Sequence, residues 1–353
     1  MGPGTRTRPG RLLPHLLLAA ALPVRCDDWL LNDPADFHRR ADLALLNGLG
    51  NFSQDPLAMA TLTGLLERHM QTKDGSSDLE VVDALEHFFW GQAGGVAMEL
   101  GAVDGTPGRS SMTFDLEHSL NWTRILVEAN PKFRNALQVL NPSAFAVHAA
   151  ICAEESTVHF GFKAYCSGIV EFMEFGFLRH YFPVVFQVLN STDPPLRWDL
   201  VDWSQALRLS NERARFDPVS CLPLAKVLRR ADVRHVNFFV LDVEGGELSV
   251  LRSVDWGAVK FDVICVETET RYRPSGYVDA LDAFLSAKGY HLYASKGRNS
   301  WFVRDEFVPS SRPGVQHKCF RGVETLRRKS SSYQRVVAEA SDDRVIQSQC
   351  SQL

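Results

Sequence analysis

Seven short apolar runs between residues 96 and 304 limit the folds open to this chain. They are VAMEL (96–100), RILVE (124–128), AFAVHAAI (144–151), VNFFVLD (236–242), DVICVE (262–267), YHLYA (290–294) and SWFVR (300–304). Most of them do not alternate apolar with polar residues, so the strands they predict need cover on both faces. Helical patterns lie between them. SSMTFDLEHSL sets Met112, Leu116 and Leu120 on one stripe, PKFRNALQVL carries Pro131 in its expected first turn, and ELSVLRSV follows the fourth run. This alternation predicts an α/β fold with a mostly parallel seven-stranded sheet. The last two runs are joined by the five residues SKGRN and read as a C-terminal antiparallel hairpin.

The flanks differ from this core. Residues 26–90 read as a helical N-terminal region, with ADLALLNGL, LAMATLTGLLERHM and LEVVDALEHFFW at helical spacing and Asp78 as a candidate cap for the third. Residues 163–217 are rich in Phe, Tyr and Trp and break the strand–helix rhythm. They read as an insertion: a lid or acceptor-binding element through which a protein partner could dock, or an extra packing layer. Residues 309–353 form a polar tail.

Residues 1–25 have the form of a secretory signal peptide, with an arginine-bearing start followed by LLPHLLLAAALPV and no acid before Asp27. A mitochondrial transit peptide is the alternative. The sequons at Asn51, Asn121 and Asn190 favour the secretory pathway. Of the seven cysteines, Cys265 lies inside an apolar run and reads as a packed thiol; the others are candidates for pairing in an oxidising lumen. No C-x-x-C occurs, which removes the usual zinc and redox spacings. A net charge of −4 without a basic patch argues against nucleic acid. No later stretch is apolar for long enough to predict a stable transmembrane segment.

The chemistry-bearing residues stand at strand ends. The first run leads into Glu99, Gly101, Asp104 and Gly105, with Gly108 beyond; the second ends at Glu128; the fourth ends at Asp242 and continues through Glu244, Gly245, Gly246 and Glu247. In open α/β sheets ligands bind outside the carboxyl ends of the strands. A pyrophosphate calls for backbone N–H groups at a helix start, so Asp104 argues against a dinucleotide. A sulfonium cofactor tolerates acids. Glu128 is placed to accept from ribose hydroxyls. Asp242 and Glu244 alternate along an extended segment, which predicts opposite faces and separate roles: Asp242 toward cofactor or acceptor, Glu244 toward loop orientation. Gly245 and Gly246 permit a sharp turn into the next helix, with Glu247 at its start. Asp242 with Glu267 or Glu269 offers an oxygen-rich cation site, but no spacing demands one and no metal ligand is assigned. His148, His159, His180 and His235 are candidate bases, His180 beside Tyr181 foremost among them.

VAMELGAVDG, ILVEANP and VNFFVLDVEGGELSVLRSVDW with FDVICVE together resemble the FkbM-type methyltransferases, over roughly residues 95–305 apart from the insertion. The resemblance implies a doubly wound, Rossmann-like methyltransferase fold over 91–308. It further implies S-adenosylmethionine as cofactor, held by Glu99, Gly101, Asp104, Gly105, Glu128 and Asp242, with Asp242 and Glu244 as the catalytic candidates. The expected activity is O-methylation of a hydroxyl on a glycan or small molecule. Val103 and Ala129 depart from the family pattern, where relatives often carry a polar residue and proline. The competing expectation is a catalytically inactive relative that serves as a binding or trafficking protein.

Overall fold

The computed structural model describes residues 28–315 apart from 34, 48, 72–79, 108–110, 164–166, 193–194, 210–214 and 269–275. The signal-peptide reading, the Asp78 cap, Gly108, Glu269 and the tail beyond 315 lie outside the described residues. The first half contains α1 (Ala35–Asn47), β1 (Gly50–Asn51), α2 (Pro56–Gln71), α3 (Glu80–His87), β2 (Gln92–Ala93), β3 (Val96–Leu100), α4 (Phe114–Leu120), β4 (Thr123–Glu128), α5 (Arg134–Leu140), β5 (Phe145–His148) and β6 (Ala150–Ile151). Next come β7 (Ser156–Phe162), β8 (Gly168–Ile169), α6 (Phe175–Tyr181), α7 (Pro183–Asn190), α8 (Trp203–Leu209), β9 (Arg215–Leu222) and α9 (Leu224–Arg230). The chain closes through β10 (His235–Leu241), α10 (Glu247–Arg252), β11 (Lys260–Glu267), α11 (Tyr277–Ser286), β12 (Tyr290–Lys296) and β13 (Asn299–Arg304).

The fold is mixed α/β with several sheets. The largest has seven strands in the order β12-β13-β11-β10-β3-β4-β5. Pairings from β5 across to β11 are parallel, and β13 runs antiparallel to both β11 and β12. Apart from the edge strand β12, its strands are buried on both faces, as their apolar runs require. Val96, Met98 and Leu100 point into one core with Phe239, Leu241 and Ile264, while Ala97, Phe238, Val240 and Cys265 point into the other.

The N-terminal helices are part of this cover. Phe37 and Ala41 of α1 join the first core; Leu62, Leu65 and Leu66 of α2 and Val81, Val82 and Leu85 of α3 join the second. Phe88 stacks on Trp301, and Trp301 stacks on Phe238, with centroids 5.7 and 5.8 Å apart. The chain after β13 returns to the same place: Ser310 donates to the Phe88 carbonyl and Arg312 to that of Glu86.

Three local expectations are corrected. AFAVHAAI is not one strand: Phe145–His148 completes the large sheet as β5, and Ala150–Ile151 leaves it to pair with Cys221 and Leu222 of β9. Pro131 is not in the first turn of a helix, because α5 begins at Arg134. The aromatic-rich segment is not the whole excursion. Its flanks, β7 and β9, pair antiparallel and build a second, four-stranded sheet in the order β6-β9-β7-β8, bridged by the Cys152–Cys221 disulfide. The helices α6 and α7 pack on that sheet through Leu178, Phe182, Val185, Leu189 and Phe216.

One polar knot sits in the core. Arg124 on β4 is fully buried; it donates to Glu117 Oε2 at 2.6 Å, to the Gly105 carbonyl at 3.0 Å and to Asn141 Oδ1 at 2.8 Å. Arg40 and Ser143 complete the Glu117 carboxylate, whose pKa stays below the usual value because these partners outweigh its burial. Removing one partner of a buried ion pair strands the other. The substitution Arg124→Met is therefore expected to cost about 3–5 kcal/mol of stability, read as a lower urea midpoint at unchanged slope.

Candidate functional site

β3 and β10 are parallel neighbours, and their carboxyl ends meet at Gly101 and Asp242. The Asp242 N–H donates to the Leu100 carbonyl, and the N–H groups of Gly101 and Ala102 both reach the Val127 carbonyl on β4. Gly101 has φ +86°, and a Cβ there would stand 2.1 Å from the Asp242 carbonyl oxygen. Only glycine allows three strand ends to close this tightly.

A cavity opens beside that junction, with an empty volume of about 800 Å³ that includes the solvent at its mouth. The strand ends of the large sheet and the turns after them supply Gly101, Val103, Glu128, Asn130, Asp242 and Glu244; Phe160 and Ile169 of the second sheet and Phe172 in the turn after β8 add further wall. The insertion and its flanking strands are thus joined to the strand ends.

The sequence-named residues divide. Gly101, Glu128, Asp242 and Glu244 line the cavity; Glu99, Asp104 and Gly105 are not among its lining. Glu99 is 1 % exposed and accepts from Ser111 Oγ, the Met112 N–H and Thr113 Oγ1 at 2.6–2.9 Å. It shares a face of β3 with Ala97, so it ties down the loop before α4. Burial raises its pKa, against those hydrogen bonds. The Asp104 carboxylate turns onto its own loop and accepts from the Thr106 N–H and hydroxyl. Gly105 lies against the Asn141 amide, 2.6 Å from where its Cβ would stand.

The opposite-face expectation for Asp242 and Glu244 is also corrected. β10 ends at Leu241, and the backbone reverses through positive φ at Glu244 (+56°) and Gly245 (+125°). Asp242, Glu244 and Glu267 each present an oxygen within 4.8 Å of the others. Alternation fails because the chain is no longer extended after Leu241. Gly246 then precedes α10, and Glu247 accepts from the Gly245 N–H at 3.0 Å and from the Tyr277 hydroxyl. A Cβ on Gly246 would stand 2.6 Å from the Phe172 ring, so this turn also carries the second sheet.

Crowding acids changes their protonation. Burial first, then the charges of Asp242 and Glu244, push Glu267 up to about 10, with Arg298 opposing. Burial raises Glu128 to about 7, against N–H donation from Asn130 and Val103 and with Asp242 adding to the rise. Glu267 was named in the sequence only as a cation-site option; its pairing with Asp242 and Glu244 depends on β11 lying beside β10. The candidate histidines stand elsewhere. His148 bonds to the Glu128 carbonyl, His159 to Glu171 with its ring on Trp203, and His235 to Asp262, while His180 is exposed against Tyr181. None of the four is in the cavity lining.

The raised acids set a direction for stability. Both bind a proton in the folded state that the unfolded chain releases near pH 4.5, so their contribution is whole below that pH. It falls as pH climbs through about 7 for Glu128 and about 10 for Glu267. Glu267→Gln keeps the neutral shape, so its stability relative to the unsubstituted protein is expected to rise between pH 5 and pH 9. Urea unfolding at both pH values checks this; a constant difference refutes it.

Comparison with known proteins gives a family. The Methyltransferase FkbM domain matches residues 99–292, more than half of the chain and a span running from Glu99 to Leu292. No curated protein and no solved structure matches significantly. With the strand-end cavity lying inside the matched span, the chain belongs to the FkbM methyltransferase domain family.

Proposed function

We propose that this methyltransferase-family chain uses S-adenosylmethionine to methylate a hydroxyl on a glycan or small molecule within the secretory pathway. The observation that carries the reading is the cavity where Gly101, Glu128, Asp242 and Glu244 converge at the ends of β3, β4 and β10. Counted within the large sheet alone, the strands run 3-2-1-4-5-7-6. The 3-2-1-4-5 part is the doubly wound order, whose ligand crevice lies at the reversal between strands 1 and 4. These are β3 and β10.

The residues present suit this cofactor. Glu128 uses one lone pair on each oxygen for the Val103 and Asn130 N–H groups, leaving acceptor capacity for hydroxyls. Asp242 and Glu244 offer anionic oxygens to a cation, and Phe133, Val103 and Val127 offer apolar wall. When bound, S-adenosylmethionine supplies an electrophilic methyl group on a sulfonium sulfur. The chain must align the acceptor and remove its proton. Asp242 takes the proton from the acceptor oxygen, Glu244 holds the acceptor beside it, and Glu267, neutral at pH 7, limits repulsion behind them. Phe160, Ile169 and Phe172 exclude water from the opposite side.

Two observations support the secretory address. Asn51, Asn121 and Asn190 are all exposed, and Cys152 is bonded to Cys221. Asn121 precedes β4 at the amino end of the sheet, away from the cavity, so a glycan there leaves the site open. Among the described residues, no helix is long and apolar enough to cross a membrane.

Calorimetric titration of S-adenosylmethionine into the glycosylated protein tests the reading. Micromolar binding is expected, abolished by Gly101→Ala. With an accepted hydroxyl compound, Asp242→Asn is expected to lower kcat by about 10²–10⁴-fold. Absence of binding to well-folded protein would replace this reading with that of a non-catalytic binding protein.

A further inference from the structure

The cavity has a sign as well as a shape. Its described lining residues include three carboxylates, Glu128, Asp242 and Glu244, and no lysine, arginine or histidine. Glu267 has a carboxyl oxygen within 4.8 Å of those of Asp242 and Glu244. Most of the remaining wall is apolar, including Phe133, Phe160, Ile169 and Phe172. Apolar walls beside charges of one sign focus their field into the cleft.

We infer that the cavity selects its ligand by charge, holding the sulfonium form of the methyl donor in preference to the demethylated thioether. The inference rests on the cofactor reading above. Donor and product share the adenosine, the ammonium and the carboxylate, so those groups cancel in the comparison. They differ in the methyl group and in the charge on sulfur, positive in the donor and absent in the product. A negative cavity lowers the energy of the first and does little for the second.

Two features of the chain agree. Burial first, and then the charges of Asp242 and Glu244, hold the Glu267 proton on to about pH 10, even with Arg298 at 3.1 Å from that carboxylate. Asp242 likewise adds to the rise at Glu128. The part of each rise that comes from neighbouring carboxylates, not the part from burial, reports a negative potential, and that potential favours a cation placed beside them. Product leaves a site that no longer has a positive charge to hold, and phosphorylated or sulfated acceptors are disfavoured by the same field.

The test compares three probes by calorimetry on the glycosylated protein: S-adenosylmethionine, S-adenosylhomocysteine and sinefungin. Sinefungin carries a protonatable amine in place of the methylated sulfonium and so separates charge from methyl contact. Donor and sinefungin are expected to bind at least tenfold more tightly than S-adenosylhomocysteine. That ratio should fall toward one in Glu244→Gln, a substitution at an exposed position that leaves the core intact, and in Asp242→Asn. Equal affinity for all three in the unsubstituted protein, or an unchanged ratio in both variants, overturns the inference while leaving the cofactor reading in place. Failure of every probe to bind folded protein overturns the cofactor reading itself, and this inference with it.

Discussion

The closure of three strand ends around Gly101 is the constraint on which the site depends. Its N–H is held by Val127, and its missing side chain lets the Asp242 carbonyl approach to where a Cβ would clash. That contact brings β3, β4 and β10 to a common edge and fixes where Glu128 and Asp242 can point. The following turn is equally committed. Positive φ at Glu244 and Gly245 folds the chain back, so a strand that would have separated its two acids brings them together instead. A glycine in the left-handed region loses more entropy on folding than other residues do. Here it is spent on assembling a cavity.

Everything around this edge supports it. Helices from the N-terminal region cover both faces of the large sheet, so α1 to α3 act as layers of the domain rather than an appendage. The second sheet forms the far wall of the cavity, and it meets the large sheet through the break between His148 and Ala150 and through Phe172 against Gly246. The Cys152–Cys221 bond ties that wall where β6 and β9 pair. The aromatic side chains of this element are divided between the cavity and the core under α6 and α7.

The acids show how similar residues diverge by placement. Glu99 is as buried as a carboxylate can be, and all its hydrogen bonds serve one loop. Asp104 satisfies its own turn through Thr106. Glu128, Asp242 and Glu244 keep access to the cavity, and Glu267 gains its raised pKa from burial first and then from Asp242 and Glu244. Charge crowding of this kind costs stability unless a proton or a cation relieves it. Retaining it at a strand-end cavity is characteristic of functional sites.

The sequence by itself determined the seven strands of the large sheet, the terminal hairpin, the helical start of the chain and the strand ends that carry Gly101, Glu128 and Asp242. Runs of apolar residues and glycine–acid turns are local, and local patterns report burial and turning directly. The tertiary structure alone decided that β7 and β9 form a second sheet, that Glu99 and Asp104 spend their carboxylates on loops, and that Glu267 joins Asp242 and Glu244. Those outcomes depend on which strand lies beside which, and on a backbone reversal at Glu244 where glycine would be the usual residue. No residue's own periodicity records its partner across the sheet, because register is set by the packing of the whole.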